Sequence, residues 1–395
     1  MRYQYQLVFL GVLPGFIEDL NSIFFERIGW LGIQKEHFNI IDRANFDQYT
    51  DRNPVFCVYF GGESGADGKY QDDSLIEKIV SHASLVLPVI SEDLIFFNDR
   101  VPEVLRKYNG MSVVGFSNQQ SYIQKIVNTI LEGFSLLRKS RRVFVSYKRS
   151  ESTGVAIQLY EELEKHGFDV FLDTHSIRKS EIFQDELWHR MTDSDVVVLL
   201  STPHFLESDW SKEELANASA LSLGIVQLIW PAHKMIGEAE ICIPINLETT
   251  DFIGSHSSPD AKLSQKIMEE VVYQVESVRA RTLSARQDNL TSEFINFAGK
   301  LGVTAILEAF KFISVTKNGK NIIVVPTIGH PQSMTYSQSK ELVKEIIKNG
   351  IDEIYILFDQ VHIRDYWLNH LSWLNQYLPV KTLKLQEVKE WLQKP

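Results

Sequence analysis

Cysteine is nearly missing from this chain: two among 395 residues, Cys57 and Cys242. Both sit in apolar runs and read as core thiols, so neither a disulfide framework nor a cysteine zinc site is supported, and no metal is expected. That usage fits a reducing cytosol, and a cytoplasmic location is the expectation. Cationic excess is missing too. Lys and Arg number 40 against 51 Asp and Glu, for a net charge of −11, which argues against general nucleic-acid binding. Arg138, Lys139, Arg141, Arg142, Lys148 and Arg149 still form a local basic patch. No apolar run approaches membrane-spanning length. The run from Leu7 to Leu13 is short, is followed by Glu18 and Asp19, and lacks a small-residue cleavage site. It therefore reads as a buried strand rather than a signal peptide. No low-complexity tract stands out, and 44% hydrophobic with 23% charged residues is an ordinary globular balance.

What is present is an alternation of short apolar runs with longer amphipathic segments, the pattern of α/β layers around parallel sheets. Three units follow: 1–138, 139–281 and 290–395. The first has apolar runs at 7–12, 38–41, 55–60 and 85–90, with a further short one at 112–115. It reads as a Rossmann-like α/β domain. Its glycine-rich stretch at 61–68 follows a strand but lacks the Lys-Ser/Thr ending of a phosphate loop, so a surface loop is the better reading. The second unit has strands at 143–146, 168–172, 196–200, 225–230 and 241–245, a five-stranded flavodoxin-like order. Gly167 stops the helix before its second strand. Residues 279–289 form a helical linker. The third unit alternates strands at 322–326, 353–358 and 380–383 with helices, as a small Rossmann-like domain. Its stretch Thr327-Ile328-Gly329-His330-Pro331-Gln332-Ser333 lies where such sheets bind ligands. A plain connecting loop is the better reading. Asp359 and His362 could join a pocket there.

One internal repeat is visible. Residues 84–91 align without a gap on 194–201, which places Arg100 on Trp210 and Val104 on Glu214. On this register the first unit is a degenerate copy of the second.

The stretch Trp210-Ser211-Lys212-Glu213-Glu214-Leu215 carries the sharpest chemical signal. A ring and an acid four residues apart share one face of a helix. Together they can grip a flat ligand and stabilise a cation. A capping box with Ser211 as N-cap gives Glu214 a purely structural alternative. Trp210 has a core alternative, and Asp173 that of a turn residue. Lys148 and Arg149 could simply be solvated.

Four motifs in order weigh against those alternatives: Phe144-Val145-Ser146-Tyr147, Gly167 to Asp173, Leu200 to Trp210, and Glu213-Glu214-Leu215. Together they resemble the Toll/interleukin-1 receptor (TIR) domain family, especially its bacterial members, over about 142–280. The first unit is then a degenerate TIR-like or Rossmann-like domain. The resemblance implies either assembly through TIR–TIR contacts or cleavage of the nicotinamide–ribose bond of NAD+, often in anti-phage defence. It places the catalytic carboxylate at Glu214. Trp210, Ser146, Tyr147, Lys148 and Asp173 take substrate-binding positions, and Lys148 or Arg149 would meet the pyrophosphate. NAD+ is then a substrate, and no cofactor is implied. The flanking units would answer to an activating nucleotide or protein partner, or support self-association. A non-catalytic scaffold is the second reading, and an N-glycosidase acting on other nucleosides a third. The resemblance has one departure: the loop 174–180 lacks the usual glycine or proline, and its His175 faces either substrate or solvent.

Overall fold

The computed structural model describes residues 5–394, apart from 31–32, 52, 83, 117, 135, 139, 173–182, 206–222, 234–241, 309–310 and 347–349. The chain divides into two compact units, one built on Met1–Leu137 and the other on Arg138–Leu307 with Lys311–Pro395.

The smaller unit runs β1 (Tyr5–Gly11), α1 (Ile17–Trp30), β2 (Phe38–Ile41), β3 (Val55–Phe60), α2 (Asp73–Ser81), β4 (Leu85–Ile90), α3 (Phe97–Arg100), β5 (Met111–Ser112) and α4 (Gln119–Gly133). Its strands form one parallel sheet in the order β2-β1-β3-β4-β5. All seven residues of β1 are buried, as a central strand covered on both faces requires. At the carboxyl edge, the backbone turns at Gly11 with φ +84°, and a Cβ there would fall 2.1 Å from the Phe60 carbonyl oxygen. The Asp72 carboxylate accepts from Gly11 N at 2.9 Å and pairs with Arg43, closing that edge with an internal ion pair.

The larger unit begins β6 (Arg142–Ser146), α5 (Arg149–Lys165), β7 (Asp169–Leu172), α6 (Phe183–Thr192), β8 (Val196–Ser201), β9 (Gly224–Ile229) and β10 (Cys242–Asn246). These strands form a parallel sheet in the order β10-β9-β8-β6-β7. A small ladder of β11 (Phe252–Ile253) and β12 (Lys262–Leu263) follows. Gly167 adopts φ +77° directly after α5, as its helix-stopping role requires. Both five-stranded parallel sheets therefore have the α/β character and strand order that the sequence implies. The repeat register does not survive, however. β4 is the fourth strand of its sheet and β8 the third of its own, so the matched runs are not topological equivalents. Buried parallel strands share one apolar signature, and a gapless match cannot tell neighbours apart. The replacement of Trp210 and Glu214 by Arg100 and Val104 therefore loses its structural basis.

Helix α7 (Gln265–Lys300) runs unbroken for 36 residues, about 54 Å. It crosses the stretch expected to be a helical linker and enters the third sheet's core through Leu290, Phe294 and Ala298. That sheet contains β13 (Ala305–Leu307), β14 (Ile313–Lys317), β15 (Lys320–Pro326), β16 (Glu353–Phe358) and β17 (Val380–Lys384), in sequential order. Helices α8 (Ser333–Ile346), α9 (Asp365–Tyr377) and α10 (Val388–Gln393) complete it. β15, β16 and β17 are parallel, as expected, but β13 and β14 are antiparallel additions that the alternation did not reveal. The β14–β15 hairpin turns at Asn318 and Gly319, with φ of 53° and 75°. An Asn-Gly pair supplies the positive φ values that a two-residue hairpin needs.

Buried charge ties the second and third sheets to α7. Asp195, just before β8, accepts from Arg279 Nε at 2.8 Å and from Arg142 N at 3.1 Å, and it also pairs with Arg138. Asp193 accepts from His330 N at 2.9 Å and pairs with Arg142. Arg286 donates to the carbonyls of Thr192 at 2.6 Å and Ser194 at 2.9 Å. Trp188 stacks on His362 at 5.1 Å, so it packs across the boundary between sheets rather than only in its own core. These anchors cluster at the amino edge of the second sheet. Among the described residues, no helix is long and apolar enough to cross a membrane.

Candidate functional site

The carboxyl edge of the second sheet is set by where β6 and β8 end. On β6, Val143, Val145 and Tyr147 face one core cluster and Phe144 the opposite one. Alternation therefore puts Ser146 on the Phe144 face. On β8, Val196, Val198 and Leu200 join the first cluster, and Val197 and Leu199 the second. Ser201 thus shares the face of Ser146. The register Ser146↔Leu199 puts the two serines on adjacent strands, about one pleat repeat apart. Ser146 is 1% exposed, and Ser201 is fully buried. The Ser201 hydroxyl has no hydrogen-bond partner among the described residues.

Tyr147 turns into the apolar core with Val155, Leu159 and Trp230 and is 7% exposed. That placement gives no support to a substrate contact. Lys148 donates from Nζ to the His204 carbonyl at 2.8 Å and lies 3.7 Å from Glu151. It is held at the rim by these groups. Arg149, the first residue of α5, is exposed.

Glu151, absent from the expected site, is an acid at this edge beside the end of β6. It occupies the first turn of α5, where the helix dipole favours a carboxylate. It accepts from His204 N at 3.3 Å and meets His204 Nδ1 at 2.8 Å. Burial pushes the Glu151 carboxyl up. The Thr202 hydroxyl nearby, the hydrogen bonds from the backbone and ring of His204, and Lys148 outweigh that and hold it below its ordinary value. An acid in the first turn of the helix that follows β6 was the available signal, and His204 lay inside a motif already singled out. The turn is braced by Gly154, whose N–H donates to the Pro259 carbonyl at 2.7 Å. A Cβ at Gly154 would come 2.5 Å from the Ala261 carbonyl oxygen.

Asp173, Trp210 and Glu214 lie outside the described residues, as do Ser211 and the loop 174–180 with His175. In the chain, Trp210 and Glu214 fall between the end of β8 and the start of β9, and Asp173 directly follows β7. Among the described residues, no group of three or more His, Cys, Asp or Glu could hold a metal ion.

A parallel flavodoxin-like sheet whose carboxyl edge carries buried serines and a stabilised carboxylate defines an α/β domain of ligand-binding architecture. Residues 143–268 match the family model of the TIR domain, from within β6 to the first turn of α7. The middle third of the chain is therefore a TIR domain. The matched span contains Ser146, Tyr147, Lys148, Asp173, Trp210 and Glu214.

Proposed function

We propose that the TIR domain is an NAD+ glycohydrolase, in which water displaces nicotinamide from the ribose to give nicotinamide, ADP-ribose and a proton. The observation that carries this reading is the position of the Trp210–Glu214 pair inside the TIR match, in the sequence between β8 and β9. Nicotinamide in NAD+ is already cationic and leaves without acid assistance. The ribose gains oxocarbenium character in the transition state, and one fixed carboxylate stabilises that charge. In this reading Glu214 is the carboxylate and Trp210 packs against the ribose or the nicotinamide. Asp173 and Ser146 take substrate-binding roles, NAD+ is the substrate, and no metal or cofactor is required. The first unit and the residues from 290 onward would sense a cue or support assembly, and NAD+ depletion would serve anti-phage defence.

The test is nicotinamide release by the full-length protein, assayed under conditions that permit self-association. Glu214→Gln lowers the rate by about 10²–10³-fold with an unchanged unfolding midpoint, whereas Glu213→Gln does not. A folded Glu214→Gln protein with wild-type turnover refutes the assignment. The scaffold reading is favoured by one observation: Lys148, expected at the pyrophosphate, is engaged by His204 and Glu151. NAD+ cleavage by the wild-type protein excludes that reading.

A further inference from the structure

A cavity of about 410 Å³ lies where α7, the end of α6 and the loops of the third sheet meet. That volume falls within the roughly 300–1,000 Å³ of small-molecule sites. Two of its walls are the loops leaving β15 and β16, adjacent strands that pair in parallel. The crevice outside the carboxyl ends of such strands is where open α/β sheets take ligands. An acid, Asp359, directly follows β16 and lines the cavity. A carboxylate at the end of the second strand is the placement from which ribose hydroxyls are gripped.

Gly329 excludes the other common use of this edge. Its φ is +78°, and a Cβ there would come 2.4 Å from Asp193 Oδ1 and 2.5 Å from Arg138 Nη1. The glycine therefore serves close packing onto the TIR domain rather than approach to a pyrophosphate. The charges lining the cavity agree. Arg286 stands against two carboxylates, Asp359 and Glu293, a balance that disfavours a polyanion. Burial lowers the Arg286 guanidinium to about 10, so it stays charged at neutral pH. Its two bonds to the Thr192 and Ser194 carbonyls fix it in place. Leu290, Ile328 and Val361 supply apolar surface for a flat heterocycle.

We propose that this cavity binds a ribonucleoside, with the heterocycle against the apolar wall and the vicinal diol on the carboxylates. The loop that forms one wall also holds the TIR domain: His330 N donates to Asp193 at 2.9 Å, and Arg138 donates to the Ile328 carbonyl at 3.1 Å. Occupancy and this contact thus share Ile328, Gly329 and His330.

Calorimetric titration of the full-length protein with adenosine, guanosine, cytidine and uridine tests the proposal, and it reads binding without NAD+ turnover. At least one ribonucleoside binds saturably with Kd below about 1 mM. Its 2′-deoxy counterpart binds about tenfold more weakly or worse, as loss of a hydrogen bond to a charged group predicts. Asp359→Asn weakens binding to a similar extent, and Ser292→Trp, at an exposed position on the cavity wall, removes it without changing the unfolding midpoint. Absence of saturable binding by all four nucleosides overturns the proposal. So does binding undiminished in both variants, or a 5′-monophosphate that binds more tightly than its nucleoside.

Discussion

Replacing Asp195 with alanine removes the charge on which the middle sheet and the long helix converge. Asp195 and Arg279 both have fully buried side chains, 2.8 Å apart. Burial pushes the Asp195 carboxyl up, but Arg138 and Arg279, with hydrogen bonds from Arg279 and from the Arg142 backbone, outweigh it and hold the group below 3.8. Without the carboxylate, the Arg279 guanidinium stays buried, beside acceptors that include the carbonyls of Arg138 at 2.5 Å and Ser140 at 3.3 Å. Breaking a buried pair from one side costs about 3–5 kcal/mol. At about 2–4 °C per kcal/mol for a unit of this size, the unfolding midpoint falls by about 6–20 °C. Differential scanning calorimetry at neutral pH reads this directly. The combined replacement of Asp195→Leu and Arg279→Met is less damaging than Asp195→Ala, because it removes both charges together. The sign with pH follows from the depressed value. The stabilisation is complete above the unfolded pKa and is lost as pH falls through the lower folded one. A loss below about 1 kcal/mol in Asp195→Ala, the level of an exposed ion pair, would refute the reasoning.

Gly224→Val sets a side chain where a Cβ already falls 2.1 Å from Thr282 Oγ1 and 2.3 Å from Val278 Cγ1. The helix must move off β9, at a cost of about 1–3 kcal/mol, and urea unfolding indistinguishable from wild type contradicts this. His330 gives a second pH signature. Burial pushes its imidazole down to about 2, helped by His189, Arg142, Arg138 and Arg286, from an ordinary 6.5. The unfolded chain then binds a proton that the folded chain refuses, so stability drops as pH falls through 6.5, by about 1 kcal/mol between pH 6.5 and 5.5. Unfolding free energies at pH 6.5 and 5.5 show that slope in the wild type and a flatter one in His330→Asn; equal slopes exclude the assignment.

Much of the architecture was legible because central parallel strands are apolar on both faces. Val196 to Leu200 and Val143 to Val145 read as buried strands from composition alone, and they are fully buried. The same uniformity defeated the repeat register, since adjacent buried strands offer a sequence match nothing to discriminate. The β14–β15 hairpin carried its signal in Asn318 and Gly319, but the helix–strand alternation around it drew attention away from antiparallel pairing. The stretch 279–289 of α7 looked like a linker because it is polar and charged. Arg279 is instead fully buried against Asp195, and Arg286 is capped by carbonyls. Charge alone does not separate an exposed arginine from one whose partner is distant in sequence. At the candidate site, the strand ends were predictable and the side-chain directions were not. Tyr147 differs from Ser146 by one position, and strand alternation sends the two to opposite faces.

Strand β8 joins the two chemical environments of the TIR domain. At its amino end stand Asp193 and Asp195, bonded to α7 and to the loop of the third sheet. At its carboxyl end stand Ser201 and Thr202, beside the Glu151–His204 pair. The six residues of the strand, Ser201 included, span about 20 Å and are buried throughout. A strand packed on both faces and paired on both sides has no solvent-facing loop in which to absorb a displacement. The described contacts of the third sheet with the TIR domain lie at the amino edge and along α6, not at the carboxyl edge where Ser146 and Ser201 end their strands. Any influence that these contacts exert on chemistry at the carboxyl edge therefore passes through β6, β8, α6 or α7, the helix shared by both cores. Asp195→Ala tests that route as well as stability, because it cuts the anchorage of β8 at the end far from the site.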